Sequence, residues 1–217
     1  MQILAYEEDA LTYWALQYKL PFILNTLQDP SDPSQCDVFF RPALGRRGCD
    51  RSPHFGEFAF ILLTERCVYL GESKWDKSSE QIVDSVLTIR EDLQLRHWMF
   101  KFCIVEWVYG GYANWQEFVE QAGPNLNKKG ITKPLDPVNA LLASHLRIVL
   151  GVIQQHYSTQ PSVRNVVLYF YDRMLNSQLP LQASNDFSVV PIDYRDSLPG
   201  NYVKINVDTA MLALRSA

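Results

Sequence analysis

Hydrophobic positions recur with a helical period over residues 7–27, where Leu11, Trp14, Ala15, Tyr18 and Phe22 fall three or four apart. Acidic Glu7, Glu8 and Asp9 stand at the start of this stretch, where the helix dipole favours negative charge, and Pro21 predicts a kink. The run Asp29-Pro30-Ser31-Asp32-Pro33-Ser34 then forces a turn-rich connection, because proline removes donors and biases the preceding residue away from helix. Residues 36–41 read as a short strand. Two apolar runs rich in aromatic and β-branched residues, 55–64 and 67–75, are separated by Glu65-Arg66, the length of a tight link, and predict an antiparallel hairpin.

Ser78 followed by Gln81 has the spacing of a capping box, and Ile82, Val86, Ile89, Leu93 and Leu95 behind it predict a helix ending near Arg96. Residues 100–109 are rich in strand formers and are closed by Gly110-Gly111, so a strand is expected there. The chain turns polar over 111–137 around one amphipathic piece, 115–121, which reads as an insertion. Pro137 opens a second long helix to about Tyr157, marked by Leu141, Leu142, Leu146, Val149, Leu150 and Ile153. Residues 163–171 then form a buried strand, 188–192 and 202–207 add short strands, and 208–216 a closing helical turn. This order predicts the α/β class: a central mixed β-sheet flanked by helices, in a single domain over 1–217 with its core at about 1–110 plus 138–172 and the insertion at about 111–137.

Composition supports a folded chain of one-domain size. Of its 217 residues 47% are hydrophobic and 20% charged, with 10 Gly and 12 Pro, which excludes a collagen-like or low-complexity protein. The longest apolar runs stop short of the ~20 residues a bilayer crossing needs, and the acidic amino end lacks the basic and apolar regions of a signal peptide. No membrane association and a cytoplasmic location are expected. Cys36, Cys49, Cys67 and Cys103 show no paired spacing, so neither a zinc site nor a disulfide framework is indicated. The net charge of −4 argues against sequence-blind binding of nucleic acid over the whole surface. A local basic stretch remains: Arg41, Arg46, Arg47 and Arg51 lie close together with the single acid Asp50.

Two acids and a lysine lie inside the otherwise apolar hairpin. Side chains alternate across a strand, so Glu72 and Lys74 share one face, while Glu57 shares its face with Ala59 and Ile61. Where the register makes these faces coincide, two carboxylates converge, and their repulsion is relieved by a divalent cation. Magnesium takes one or two protein carboxylates plus water and substrate phosphate. Glu57 and Glu72 suit it as ligands, and Lys74 suits the orientation of a water or the stabilisation of charge growing on a phosphodiester.

On these residues the chain resembles the PD-(D/E)xK phosphodiesterase superfamily, with its restriction-endonuclease-like fold. The resemblance rests on Glu72-Ser73-Lys74 at the end of an apolar strand, on Glu57 in the strand before it, and on an amino-terminal helix bearing Glu7 and Glu8. It implies a nuclease dependent on Mg²⁺ or Mn²⁺, with Glu57 and Glu72 as metal ligands, Lys74 as the catalytic lysine, and Glu7 or Glu8 as an accessory acid. Several members of the group read Gly-Glu-x-Asp on the first of these strands, with the Asp as principal ligand, whereas Gly56-Glu57-Phe58-Ala59 ends here in a methyl group. Either Glu57 takes that role, Asp50 swings in from the basic loop, or the site has lost its metal and its activity.

The readings that follow are a Mg²⁺-dependent nuclease acting on DNA in repair, restriction or mobile-element defence, and a catalytically inactive module of the same fold binding nucleic acid or a protein. A homodimer would let the first cut both strands. Arg41, Arg46, Arg47 and Arg51 either grip phosphates or form a solvated connection. Asp76 and Lys77 extend the site or cover the surface before a helix, and His54 either assists a water or is structural at a strand start. Trp98, Trp107, Trp115, Tyr109 and Tyr112 fill a core or stack on bases. His97, His145 and His156 have no ligand spacing. Neither GxGxxG nor GxxxxGK[ST] occurs, which disfavours dinucleotide and nucleotide-motor chemistry.

Overall fold

The structure, a computed structural model, describes residues 2–5, 7–42, 44, 57–76, 82–127, 141–175, 179–195 and 203–206. The chain is mixed α/β. Its elements are β1 (Gln2–Ala5), α1 (Glu7–Tyr18), α2 (Leu20–Thr26), β2 (Asp37–Phe40), β3 (Phe60–Leu63), β4 (Cys67–Trp75), β5 (Ile82–Val83), β6 (Val86–Leu87), α3 (Glu91–Cys103), a π-helical turn (Ile104–Val108), α4 (Trp115–Asn127), α5 (Leu141–His156), β7 (Ser162–Tyr171), β8 (Gln182–Ala183), β9 (Phe187–Asp193) and β10 (Val203–Asn206). The predicted first helix is split at Lys19 into α1 and α2, with Pro21 in the first turn of α2, where its missing N–H breaks no helical bond.

The largest sheet has five strands in the order β2-β3-β4-β7-β9, flanked by helices. Strands β2 and β3 are antiparallel with Phe39 opposite Ile61, and β7 and β9 are parallel with Tyr169 opposite Pro191. The predicted hairpin closes over Glu65-Arg66, where the Thr64 N–H donates to the Cys67 carbonyl at 3.0 Å. Near the start of β7 the Ser162 N–H donates to the Arg66 carbonyl, and near its end the Phe170 carbonyl accepts from Asp76, so β7 follows β4 in the same direction.

Two expectations are corrected. Ser78 and Gln81 lie outside the described residues, but residues 82–87 form β5 and β6 rather than a helix, joined by a tight turn in which Asp84 and Ser85 have φ of 51° and 62°. Those positive values mark the turn type whose twist suits paired strands; the apparent helical spacing came from a two-residue hairpin followed by the true helix α3. Residues 100–109 are not a strand. They continue α3 into the π-helical turn, and the buried set Phe100, Cys103, Ile104 and Val108 has helical spacing although its composition is that of a strand. The amphipathic piece expected at 115–121 is the first half of α4, and Trp115, Phe118 and Ala122 on it are buried. The expected helical turn at 208–216 lies outside the described residues.

By their internal contacts, residues 1–35, 71–89 and 165–217 form one compact unit and residues 36–70 and 90–164 a second. In the second unit Ile61, Leu63, Val68 and Leu70 of the hairpin join Phe100 and Ile104, Trp115 and Phe118 of α4, and Leu150 and Ile153 of α5 in one apolar cluster. The rings of Trp107, Trp115 and Phe118 lie 5.1–5.6 Å apart in tilted and edge-on contacts, so this aromatic concentration fills a core. Two side chains from α5 and the residue after it tie that helix to the strands. Tyr157 donates its hydroxyl to the Cys67 carbonyl at 2.8 Å, and the His156 ring nitrogens face Asp37 Oδ2 at 3.0 Å and the Thr64 carbonyl at 3.2 Å. In the first unit the buried stripe Leu11, Trp14 and Ala15 of α1 recurs at three- and four-residue spacing.

Candidate functional site

Strand β4 carries two of the candidate residues at its carboxyl end. Alternation puts Glu72 and Lys74 on the face of the strand that bears Val68 and Leu70, with Ser73 on the other. Glu72 is only 6% exposed. A carboxylate buried to this degree is costly unless its oxygens are satisfied by hydrogen bonds or charge. Ser73 meets the amino-terminal helix: the Thr12 hydroxyl and Ser73 Oγ are 2.6 Å apart, and Thr12 also donates to the Glu8 carbonyl at 2.7 Å. Glu8 stands one turn before Thr12 in α1. The helix is therefore tied to β4 through Ser73.

Glu57 belongs to the second unit, and its carboxylate is already engaged. Arg41 Nε lies 3.1 Å from Glu57 Oε1 and Arg41 Nη2 2.7 Å from Oε2, a two-point pair in which each oxygen takes one donor. Its origin is local. Arg41 follows β2, its N–H donates to the Ala59 carbonyl at 3.0 Å, and its φ of 49° turns the chain there. A residue with a branched-free but bulky side chain is uncommon in that left-handed region, and the pair with Glu57 lies at that turn. Ala59, half-buried on the same run, offers no ligand atom. Arg46, Arg47, Arg51, Asp50, His54 and Lys77 lie outside the described residues. Among the described residues, no three His, Cys, Asp or Glu side chains are grouped so as to hold a cation.

Just beyond Lys74 the sheet ends in a polar network that the sequence did not reveal. The Asp76 carboxylate accepts the Asp172 N–H at 2.9 Å and the Tyr194 hydroxyl at 3.2 Å, while the Asp76 N–H donates to the Phe170 carbonyl at 2.9 Å. Arg195 Nη1 lies 2.9 Å from Asp172 Oδ1, and the Tyr194 N–H donates to the Tyr171 carbonyl at 3.1 Å. The ends of β4, β7 and β9 are thereby laced together. Burial, reinforced by the negative charge of Asp76, pushes the Tyr194 hydroxyl up to about 12. The participants lie far apart in sequence and meet only through strand pairing, so no local motif marks them.

His97 is 1% exposed, with its ring 4.9 Å from that of Phe58, and Arg96 lies over the same Phe58 ring at 5.2 Å. These are contacts of a packed interior. Among the described residues no helix is long and apolar enough to cross a membrane. Comparison with protein-family models, with curated proteins and with solved structures finds no match to this chain.

Proposed function

We propose that the chain is a nuclease-fold module that binds DNA and whose hydrolytic centre is incomplete. The order of elements supports the fold reading. A helix precedes the antiparallel succession β2-β3-β4, the Glu72-Ser73-Lys74 triplet falls late in β4, and helices then lead to β7, which runs parallel beside it. A mixed sheet flanked by helices, with the triplet late in a central strand, is what supports the resemblance to the PD-(D/E)xK superfamily.

The observation that carries the loss of hydrolysis is the state of the preceding acidic run. Ala59 has no ligand atom, and both oxygens of Glu57 are taken by the Arg41 guanidinium. A magnesium centre for phosphodiester cleavage draws on carboxylates that converge on one ion and leave coordination positions to water and phosphate. Glu72 supplies one such group. The described residues do not fit a complete Mg²⁺ centre, so no hydrolytic step is assigned to them. DNA as the partner rests on the basic run Arg46, Arg47 and Arg51, whose charges suit backbone phosphates in a chain of net charge −4; Arg41, which opens the run, is held by Glu57.

The test is restoration. Wild-type protein is expected to retard DNA in a gel and leave it uncut in Mg²⁺ or Mn²⁺. Ala59→Asp is expected to confer metal-dependent cleavage that the added substitution Lys74→Ala abolishes. Cleavage by the wild type that disappears in Glu72→Ala overturns the inactive reading, and an inert Ala59→Asp protein that still folds counts against the nuclease fold itself.

A second reading, an intact Mg²⁺-dependent nuclease, is favoured by one observation. The Arg41 and Glu57 side chains are 40% and 38% exposed, and exposed pairs of this kind contribute only about 0–1 kcal/mol. A cation could therefore displace Arg41 at small cost. The wild-type cleavage assay separates the two.

A further inference from the structure

At the carboxyl ends of the parallel strands β7 and β9, whose last paired residues are Tyr171 and Asp193, lies a cleft of about 380 Å³. Crevices beyond the carboxyl ends of parallel strands are where open α/β sheets take ligands, because the chain leaves both strands there and exposes their end residues. The volume is that of a small-molecule site. Lys19, at the break between α1 and α2, and Phe22, in the first turn of α2, line it together with Tyr171, Arg173, Ile192 and Asp193. None of these residues is one of the candidates Glu57, Glu72 and Lys74.

Two cations from separate parts of the chain, Lys19 and Arg173, line the cleft together with the acid Asp193. Asp193 Oδ2 lies 3.3 Å from Arg173 Nε, and Asp193 Oδ1 accepts the Arg195 N–H at 3.0 Å. The carboxylate thus takes both donors and orients the guanidinium. Lys19 is exposed with its ammonium 5.6 Å from the Trp14 ring centroid, and the Phe22 ring is 46% exposed. An exposed phenyl ring beside two cations offers a stacking surface and a phosphate site within one ligand's reach. A guanidinium fork matches phosphate oxygens, and an aromatic face accepts any base.

We infer that this cleft binds the phosphate and base of one nucleotide, with Lys19 and Arg173 on the phosphate and Phe22 against the base. The nucleotide is either free or one unit of a single strand, the recognition chemistry being the same. The inference goes beyond the reading of the chain as a nuclease-fold module and stands or falls without it.

Titration calorimetry of the full chain with adenosine monophosphate, adenosine, inorganic phosphate and a short single-stranded oligonucleotide tests it. Adenosine monophosphate is expected to bind, with adenosine and inorganic phosphate each at least about tenfold weaker. Lys19→Ala, Arg173→Ala and Phe22→Ala are each expected to raise its Kd about tenfold, the loss of one charge-assisted bond or one stacked ring. All three side chains are exposed, so unchanged melting curves are expected and confirm that the variants fold. An oligonucleotide that competes with the monophosphate identifies the ligand as part of a strand, and one that does not identifies it as free; both outcomes uphold the site. No heat with millimolar adenosine monophosphate, an affinity unmoved by both Lys19→Ala and Arg173→Ala, or equal binding of inorganic phosphate overturns it.

Discussion

Tyr194 is 3% exposed, donates its hydroxyl to Asp76, and has its ionisation pushed from the usual phenol range up to about 12, chiefly because burial disfavours the phenolate. In the unfolded chain the same group ionises near pH 10. The folded chain therefore keeps a proton that the unfolded chain has lost, and stability falls as pH rises from about 10 to about 12, with no contribution to the slope well below pH 10. Tyr194→Phe is expected to make the decline over this window shallower in urea unfolding, and to remove one tyrosinate step near pH 12 in an absorbance titration. An unchanged slope would mean that the phenol titrates as an exposed one. At this scale the sequence shows residue types and hides partners. Glu57 and Arg41 were both readable as candidates for chemistry, but their pairing depends on the register of β2 against β3 and on the positive φ of Arg41. Asp76 stood out only as polar; that it clamps three strand ends follows from long-range pairing with Asp172 and Tyr194.

Elements were legible where period and punctuation agreed. The hairpin around Glu65-Arg66, the helix over Leu141–His156 and the strand over Ser162–Tyr171 each combine a clear hydrophobic pattern with a turn or proline boundary. The passage from α3 into the π-helical turn was illegible because Phe100, Phe102, Ile104 and Val105 have strand-like composition, whereas their neighbours decide the backbone: helical spacing buries Phe100, Cys103 and Ile104 together. That turn ends at a tight point. A Cβ on Gly110 would overlap the Glu106 carbonyl oxygen and come within 2.7 Å of the Tyr112 ring, and the next residue, Gly111, has φ of 76°. Gly110→Ala is expected to lower stability by about 2–4 kcal/mol, in the range of overpacked or strained sites. Equilibrium denaturation in urea measures it; a loss below about 1 kcal/mol would show that the turn opens readily to admit a methyl group.

At the scale of the molecule, fold class was readable from the succession of helical and strand patterns, while the grouping into compact units was not. Boundaries in sequence are sought in loops where composition shifts, yet one of these boundaries falls inside the continuous strand β4, between Leu70 and Gly71, where an apolar run gives way to Gly71-Glu72-Ser73-Lys74. The two units are interleaved: one is assembled from residues 1–35, 71–89 and 165–217, the other from 36–70 and 90–164. A chain ending at Arg164 would retain both stretches of the second unit but break β7 after three residues, and it is expected to show no cooperative thermal transition by circular dichroism, in contrast to the full chain. A sharp transition in that fragment would mean that the second unit folds alone. The same interleaving governs how function can be dissected. A single cleavage cannot release either part intact, so assigning an activity to one of them requires point substitutions or permuted and re-joined genes, and a deletion that silences the protein says nothing about where the missing activity resided.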